Sequence, residues 1–116
     1  MIARSLRSSG TLTRTAAFRA VYAKGRWTHG PLLSLGALLS AGPSTQVGLR
    51  TRRNLKGAVV RNRLKRQLRP IIQAQRSLWR SGLDIVIVIH PKALPVETPA
   101  LQRELTQLAK RAGIVQ

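Results

Sequence analysis

Residues 84–90 read Asp-Ile-Val-Ile-Val-Ile-His, with five β-branched residues in succession. β-branched residues are enriched in strands, and an apolar run without alternation is typical of a strand that is buried on both faces. The run is also much shorter than the ~20 apolar residues that a membrane-spanning helix needs. We therefore predict that residues 84–90 form the central strand of a sheet.

Three more strands are predicted on the N-terminal side of this stretch. They cover Arg26 to His29, Leu32 to Leu39 and Gln46 to Arg53, and a turn-forming Ala-Gly-Pro-Ser sequence separates the last two. In the third of these strands, apolar residues alternate with Arg50 and Arg52. Since successive side chains of a strand point to opposite faces, one face of the sheet should carry guanidinium groups.

Helices are predicted at the two ends of this strand region. The first begins at Thr13 as N-cap and ends at Lys24, before a glycine. The last begins at Thr98 as N-cap, has a proline as its first helical residue and ends at Gly113. Its inward-facing residues are predicted to be Leu101, Leu105, Leu108 and Ala112.

A third helix is predicted between the last two strands, over residues 58–80. Its apolar residues recur at helical spacing and should face the core: Val60, Leu64, Leu68, Ile71 and Leu78. Its other side is basic: Arg61, Lys65, Arg69, Arg76 and Arg80, with Asn62 and Arg66 at the edge. Pro70 cannot donate a backbone bond to Arg66 and costs ~3 kcal/mol in a regular helix. We therefore expect a kink or a break near Arg69, which would divide the basic side between two short helices.

The chain has 116 residues and a net charge of +18, with 21 Lys or Arg against three Asp or Glu. Its length suits one domain, and a hydrophobic content of 43% is enough for one core. We expect a basic flexible arm over residues 1–12 and a single domain over 13–116. The absence of cysteine excludes disulfides and cysteine-bound zinc, and it fits a reducing compartment, so we expect a cytoplasmic protein.

The positive charge is concentrated in the first part of the chain. Residues 1–83 hold 17 of the 21 basic residues and no acidic residue, and eleven of them fall between Arg50 and Arg80. Salt bridges within the chain cannot neutralise this block, so it indicates a polyanionic partner. Nucleic acid is favoured over two alternatives, an acidic membrane surface and a purely solubilising charge. A further alternative is that the first 25 residues, which lack acids, are a mitochondrial transit peptide.

Most catalytic chemistry is poorly supported by these residues. Asp84, Glu97 and Glu104 are the only acids, and the two histidines, His29 and His90, lie far apart in sequence. Paired-carboxylate hydrolysis and a metal site built from several carboxylates are therefore improbable. The chain also has no nucleophile elbow, zinc-protease motif or phosphate-binding loop. If the protein belongs to an enzyme, the chemistry should reside in another component.

The segment from Ala58 to Arg69, AVVRNRLKRQLR, resembles the Arg-Asn-Arg signature of the bacterial ribonuclease P protein component. The similarity to the pattern AVxRNRxKRxxR is continuous over this segment. Outside it the resemblance is weaker and rests on Phe18 and Tyr22, on Val47-Gly48, and on residues 82–86. In that family a small basic subunit assists a catalytic RNA in removing the 5′ leader of precursor tRNA.

The resemblance implies a fold and a division of labour. The implied fold is an α/β (α+β) two-layer sandwich, ordered helix, three strands, helix, strand, helix, with a left-handed crossover shared with a ribosomal protein. The implied partners are the catalytic RNA and precursor tRNA, without a membrane or a small-molecule substrate. Hydrolysis would use magnesium held by the RNA, so no cofactor or metal bound by protein side chains and no catalytic residue is expected in this chain.

Two groups of binding residues are carried over from the resemblance. The signature helix would bind the catalytic RNA through Arg61, Asn62, Arg63, Lys65, Arg66 and Arg69. A cleft between the first helix and the sheet would hold the single-stranded leader through Phe18, Tyr22, Arg50, Arg52, Arg53 and Lys56. Arginine suits both tasks because its guanidinium group binds phosphate bidentately and stacks on bases.

Some residues depart from the family pattern or have a second interpretation. The end of the third strand, residues 51–57, differs from the usual family sequence, and the second strand lacks an aromatic residue near Gly36. Leader binding should therefore depend more on Arg50, Arg52 and Arg53 than on stacking. Phe18 and Tyr22 have the alternative role of plain core contacts. Two aromatic residues remain: Trp27, with either a cleft or a packing role, and Trp79, predicted in the core.

Two other functions share this size and charge. A structural ribosomal protein would also share the fold that the resemblance implies. A general cationic packaging protein would bind duplex DNA and structured RNA alike, because phosphate contacts alone give tight binding at low salt.

Overall fold

A computed structural model describes residues 15–40, 42–52, 57–90 and 97–116. Its elements follow the predicted order of helix, three strands, helix, strand and helix. They are α1 Thr15–Lys24, β1 Arg26–His29, β2 Leu33–Leu39, β3 Gln46–Thr51, α2 Ala58–Gln75, a 3₁₀ turn at Arg76–Leu78, β4 Leu83–Ile89 and α3 Thr98–Ala112. Residues 1–12 and Thr13, predicted as an arm and as an N-cap, lie outside the described residues.

The four strands form one sheet in the order β1, β2, β4, β3. β4 pairs antiparallel with β2 and parallel with β3, so it lies inside the sheet. The prediction of a central strand is therefore confirmed, with bounds one residue earlier than expected. Since β3 and β4 are parallel neighbours, the chain must cross over between them, and α2 lies in that connection.

Helices cover both faces of the sheet. Ile85, Ile87 and Ile89 point into the larger core with residues of α2 and α3, whereas Val86 packs with two buried residues of α1, Phe18 and Val21. This confirms the α+β class and explains the unbroken apolar run in β4, because both of its faces are buried. It also argues against the transit-peptide alternative, since residues 15–24 supply part of the core.

The expected break in the long helix is wrong. α2 continues through Pro70 from Ala58 to Gln75 as a single helix. Pro70 and Arg66 both lie on the exposed side of the helix, where water can serve the carbonyl that proline leaves without a donor. The core face of the helix, with Leu64 and Leu68 fully buried, is unaffected. The residues of the signature therefore share one continuous helix.

The end of this helix also differs from the prediction. Leu78, predicted to face the core, is 61% exposed, because the α-helix ends at Gln75 and the helical spacing no longer applies. Trp79 is buried, as predicted, and forms an isolated bridge with Val115 near the C-terminus.

The last helix is tied to the sheet by a buried acid. Glu104 accepts hydrogen bonds from the backbone N–H groups of Leu32 and Leu33, where β2 begins. The inward-facing leucines are buried as predicted: Leu101, Leu105 and Leu108. Ala112 is only partly buried, and the N-cap is Glu97 rather than Thr98. Gly113 ends the helix with a φ of 74°, a left-handed conformation in which a side chain would be strained.

Candidate nucleic-acid interface

A cleft lies between α1 and the face of the sheet that α1 covers only in part. It has a volume of about 740 Å³. Its walls come from α1 and from all four strands: Tyr22, Trp27, His29, Ser34, Arg50, Thr51, Arg52 and Val88. Of the predicted cleft residues, the fold brings together Tyr22, Arg50 and Arg52. Arg53 and Lys56, also predicted here, lie outside the described residues.

Three aromatic rings form a ladder along this cleft. The rings of Tyr22 and Trp27 are stacked with centroids 5.4 Å apart and planes 22° apart, and those of Trp27 and His29 with centroids 6.2 Å apart and planes 9° apart. The indole N–H of Trp27 donates to the carbonyl of Val21 at 3.3 Å, which holds this ring against α1. Tyr22 is 51% exposed, so the ladder is open to a flat ligand at that end.

Phe18 has the role of a core contact. Its ring is only 6% exposed and packs with Val21 and Val86. The guanidinium group of Arg50 lies over the ring, 4.0 Å from its centroid, in a cation–π geometry. The Phe18 ring is therefore in contact with a cation that lines the cleft, while Phe18 itself is not among the residues of the cleft walls.

The aromatic residue that β2 lacks near Gly36 is replaced from the neighbouring strand. Trp27 is the registered partner of Gly36, and a Cβ atom at Gly36 would lie 2.6 Å from two carbons of the indole. Glycine is therefore required for the Trp27 ring to lie flat over β2. Trp27 thus lines the cleft and also packs against the smaller core.

Gly36→Ala should displace the Trp27 ring and lower the free energy of unfolding by about 1 to 3 kcal/mol, the usual cost of overpacking. Urea unfolding and indole fluorescence would measure both effects. Gly42→Ala is the matched control, because a Cβ there would meet only the Ser40 hydroxyl oxygen, at 3.8 Å. Equal changes in the two variants would show that Trp27 does not depend on Gly36.

A second positive surface lies on α2. Of the predicted RNA-binding group, the exposed members are Asn62, Arg63, Arg66 and Arg69, all on the solvent side of the helix. Arg61 and Lys65, from the same predicted group, are partly buried at its flank. One helix thus carries all six residues predicted to bind the catalytic RNA. Arg61 and Lys65 are the two that lie nearer the core.

Arg76 and Arg80 do not extend this surface along the helix. Arg76 donates to the carbonyl of Thr45 at 2.6 Å, and Arg80 donates to the carbonyl of Gly113 at 3.1 Å. Burial lowers the pKa of Arg76 from its ordinary value. Both residues follow the end of α2, so their predicted place on the basic side was wrong, and their hydrogen bonds instead hold loops to the fold.

The sequence analysis missed a group of three polar residues, of which two, His29 and Ser34, line the cleft and the third, His90, lies behind Ser34. Ser34, 3% exposed, lies between two imidazole rings: its hydroxyl oxygen is 2.8 Å from Nδ1 of His29 and 2.8 Å from Nε2 of His90. These residues come from β1, β2 and the end of β4. Only the strand order brings them together, so no local sequence pattern could have indicated them.

Two further features, a metal-binding cluster and a membrane span, are absent from the part of the chain that the structure describes. Within residues 15–40, 42–52, 57–90 and 97–116, no three His, Asp or Glu side chains cluster as a metal ion would require. No helix among these residues is both long and apolar enough to cross a bilayer.

These features define a class: a small, strongly basic α+β protein with two cationic surfaces. One surface is the aromatic cleft, and the other is the exposed face of a helix. The family model for ribonuclease P matches residues 6–113. The ribonuclease P protein component of Symbiobacterium thermophilum is 40% identical over 104 residues, covering 86% of this chain and 88% of the relative. That of Microcystis aeruginosa is 36% identical over 103 residues, covering 84% and 86%. The chain belongs to the ribonuclease P protein family.

Solved structures share the fold. The ribonuclease P protein of Staphylococcus aureus has a TM-score of 0.82 at 21% identity, covering 91% of this chain and 97% of that protein. The ribonuclease P protein of Thermotoga maritima has a TM-score of 0.77 at 22% identity, covering 87% and 96%. The family match favours the ribonuclease P hypothesis over the ribosomal-protein and packaging-protein alternatives.

Proposed function

We propose that this chain is the protein subunit of a cytoplasmic ribonuclease P, in which it binds the catalytic RNA and the 5′ leader of precursor tRNA. Family membership supports a role in that enzyme. The relatives are named as protein components, which implies a further component, and an RNA partner suits a chain with a net charge of +18.

The observation that carries the leader part of the proposal is the aromatic ladder beside two arginines. Single-stranded RNA is bound by proteins that stack its open bases on aromatic rings and attract its backbone with positive charge. Tyr22 and Trp27 supply such rings, and Arg50 and Arg52 supply the charge. A duplex keeps its bases stacked inside and could not use the ladder, so the cleft suits a single strand.

The exposed face of α2 supports the second part, binding of the catalytic RNA. Arg63 and Arg66 are one turn apart, so their side chains are neighbours on the helix surface and can contact successive phosphates. Asn62 can both donate to and accept from a 2′-hydroxyl or a base edge. One continuous helix carries all of these groups at helical spacing, as recognition of a folded RNA requires.

In this proposal the RNA performs hydrolysis with magnesium that it binds itself. The protein contributes attraction and positioning: the leader is held in the cleft while α2 contacts the RNA subunit. Neutralising phosphate charge reduces the repulsion between the two RNA molecules, so less magnesium is needed to bring them together.

The test is reconstitution of the full chain with a bacterial ribonuclease P RNA. At a magnesium concentration where the RNA alone is inactive, adding the protein should produce cleavage of the 5′ leader from precursor tRNA. An equal charge of polylysine serves as the control for simple neutralisation. No cleavage with the protein, or equal cleavage with polylysine, would contradict the proposed function.

A further inference from the structure

The guanidinium group of Arg50 lies between an aromatic ring and the cleft. Its central carbon is 4.0 Å from the centroid of the Phe18 ring, a distance at which the two groups are in contact. Phe18 is 6% exposed and does not line the cleft, whereas Arg50 is exposed and does. The arginine therefore separates the ring from the cleft, with one side on Phe18 and the other side open to a ligand.

The sheet and α1 together fix this position. Arg50 is the registered partner of Val88 on β4, and Val88 packs against the smaller core that contains Phe18. The arginine side chain therefore leaves the sheet on the face that α1 covers. A long side chain that is already held on a ring loses less conformational freedom when it binds a ligand than a side chain that moves freely in water. Arg50 is thus pre-positioned for binding.

A guanidinium group offers two different binding surfaces. Its N–H donors point outward in the plane and suit phosphate, whereas its flat faces are weakly hydrated and suit another planar group. Across residues 15–40, 42–52, 57–90 and 97–116, Arg50 forms no hydrogen bond and no ion pair, and its ring contact uses one face only. The second face is therefore free. Unpaired RNA bases stack on arginine planes as well as on aromatic rings.

We infer that the guanidinium group of Arg50, backed by the Phe18 ring, is a stacking site for one base of the single-stranded leader. This inference rests on the proposed function, because it requires the leader to lie in the cleft. Phe18 and Tyr22 are one turn apart on α1, so the site adds one more planar group beside the aromatic ladder. Phe18 is a positioning residue, since it acts on the base through Arg50.

The experiment uses the holoenzyme and a series of precursor tRNAs, each with one abasic nucleotide in the leader. An abasic nucleotide keeps its phosphate charge and loses the base that could stack. At each leader position whose base stacks on the protein, the abasic change should weaken binding roughly fivefold or more. One of these positions should depend on Arg50, and the others should depend on the ladder.

Arg50→Lys identifies that position, because lysine keeps the charge and lacks a planar face. It should weaken binding of the unmodified precursor roughly fivefold or more, with no further loss from the abasic change at one position. The slope of log affinity against log salt should stay the same, since no charge is removed.

Two further variants separate stacking from other effects. Arg52→Lys is the matched control, since it makes the same chemical change in the same cleft and should leave every abasic effect in place. Phe18→Leu keeps an apolar core residue without a ring, and it should reduce the abasic effect at the position that Arg50→Lys identifies. A loss of stability alone would not select one leader position. Arg50 is exposed, so Arg50→Lys decides the question even if Phe18→Leu does not fold.

Two results would overturn the inference alone, in a holoenzyme that prefers precursor to mature tRNA. One is the same set of abasic effects with Arg50→Lys as with the unaltered protein, which would leave Arg50 as a charge only. The other is loss of the same abasic effect with Arg52→Lys. A holoenzyme that binds precursor and mature tRNA equally would overturn the leader-binding proposal, and the inference would fall with it.

Discussion

Replacing both Arg63 and Arg66 with glutamine should weaken binding of the protein to the ribonuclease P RNA by roughly 100-fold at about 150 mM salt. Both side chains are exposed one turn apart on α2. Each lost charge-assisted hydrogen bond to phosphate is expected to cost about 1.4 kcal/mol or more, which is about tenfold in affinity. Glutamine keeps the length and helix propensity of the side chain, so the fold should be retained.

Filter binding over a range of salt concentrations measures this effect. The slope of log affinity against log salt should become shallower by about 1.5 to 2, because two phosphate contacts are lost. The matched control is Arg103→Gln with Lys110→Gln, which removes the same charge from the exposed side of α3. If the control variant lost as much affinity, binding would depend on total charge and not on the face of α2.

Glu104→Ala should lower the free energy of unfolding by about 2 to 6 kcal/mol. The buried carboxylate accepts the backbone N–H groups of both Leu32 and Leu33. Alanine would leave two donors without partners at the start of β2, and each such group costs about 1 to 3 kcal/mol. The loss would also loosen the contact between α3 and the edge of the sheet that carries β1.

Urea unfolding followed by circular dichroism gives the free energies. Glu104→Gln retains one acceptor oxygen and should lose less than the alanine variant. Glu97→Ala removes an exposed acid and should change stability by about 0.5 kcal/mol or less, as surface substitutions usually do. A Glu104→Ala protein as stable as Glu97→Ala would show that the two amides do not depend on this carboxylate.

The central strand and the order of elements could be predicted because their signals are local. β4 has an unbroken apolar run since both of its faces are covered, and that requirement is visible in the residues themselves. The end of α2 could not be predicted as well. Helical spacing alone predicted that Leu78 faces the core, but the α-helix ends at Gln75. The break expected near Pro70 does not occur, because Pro70 lies on the exposed side of the helix.

The candidate site could be predicted in part for the same reason. Alternation in β3 places Arg50 and Arg52 on one face, and the structure puts both in the cleft. The role of Trp27 depends on its pairing with Gly36, and pairing between strands cannot be derived from one segment alone. The contacts of Ser34 with two histidines require the order of three strands, so they became visible only in the folded chain.

The proposed function assigns two surfaces of one small protein to two RNA ligands. Its most direct test compares a cleft variant, Trp27→Ala with Arg52→Gln, with the helix variant, Arg63→Gln with Arg66→Gln. For each, affinity for the ribonuclease P RNA and the preference of the holoenzyme for precursor over mature tRNA are measured. We predict that the cleft variant loses about tenfold or more of the preference for precursor tRNA while it still binds the RNA subunit. The helix variant should lose affinity for the RNA subunit and keep the preference for precursor tRNA. Equal losses of both properties in both variants would contradict the account.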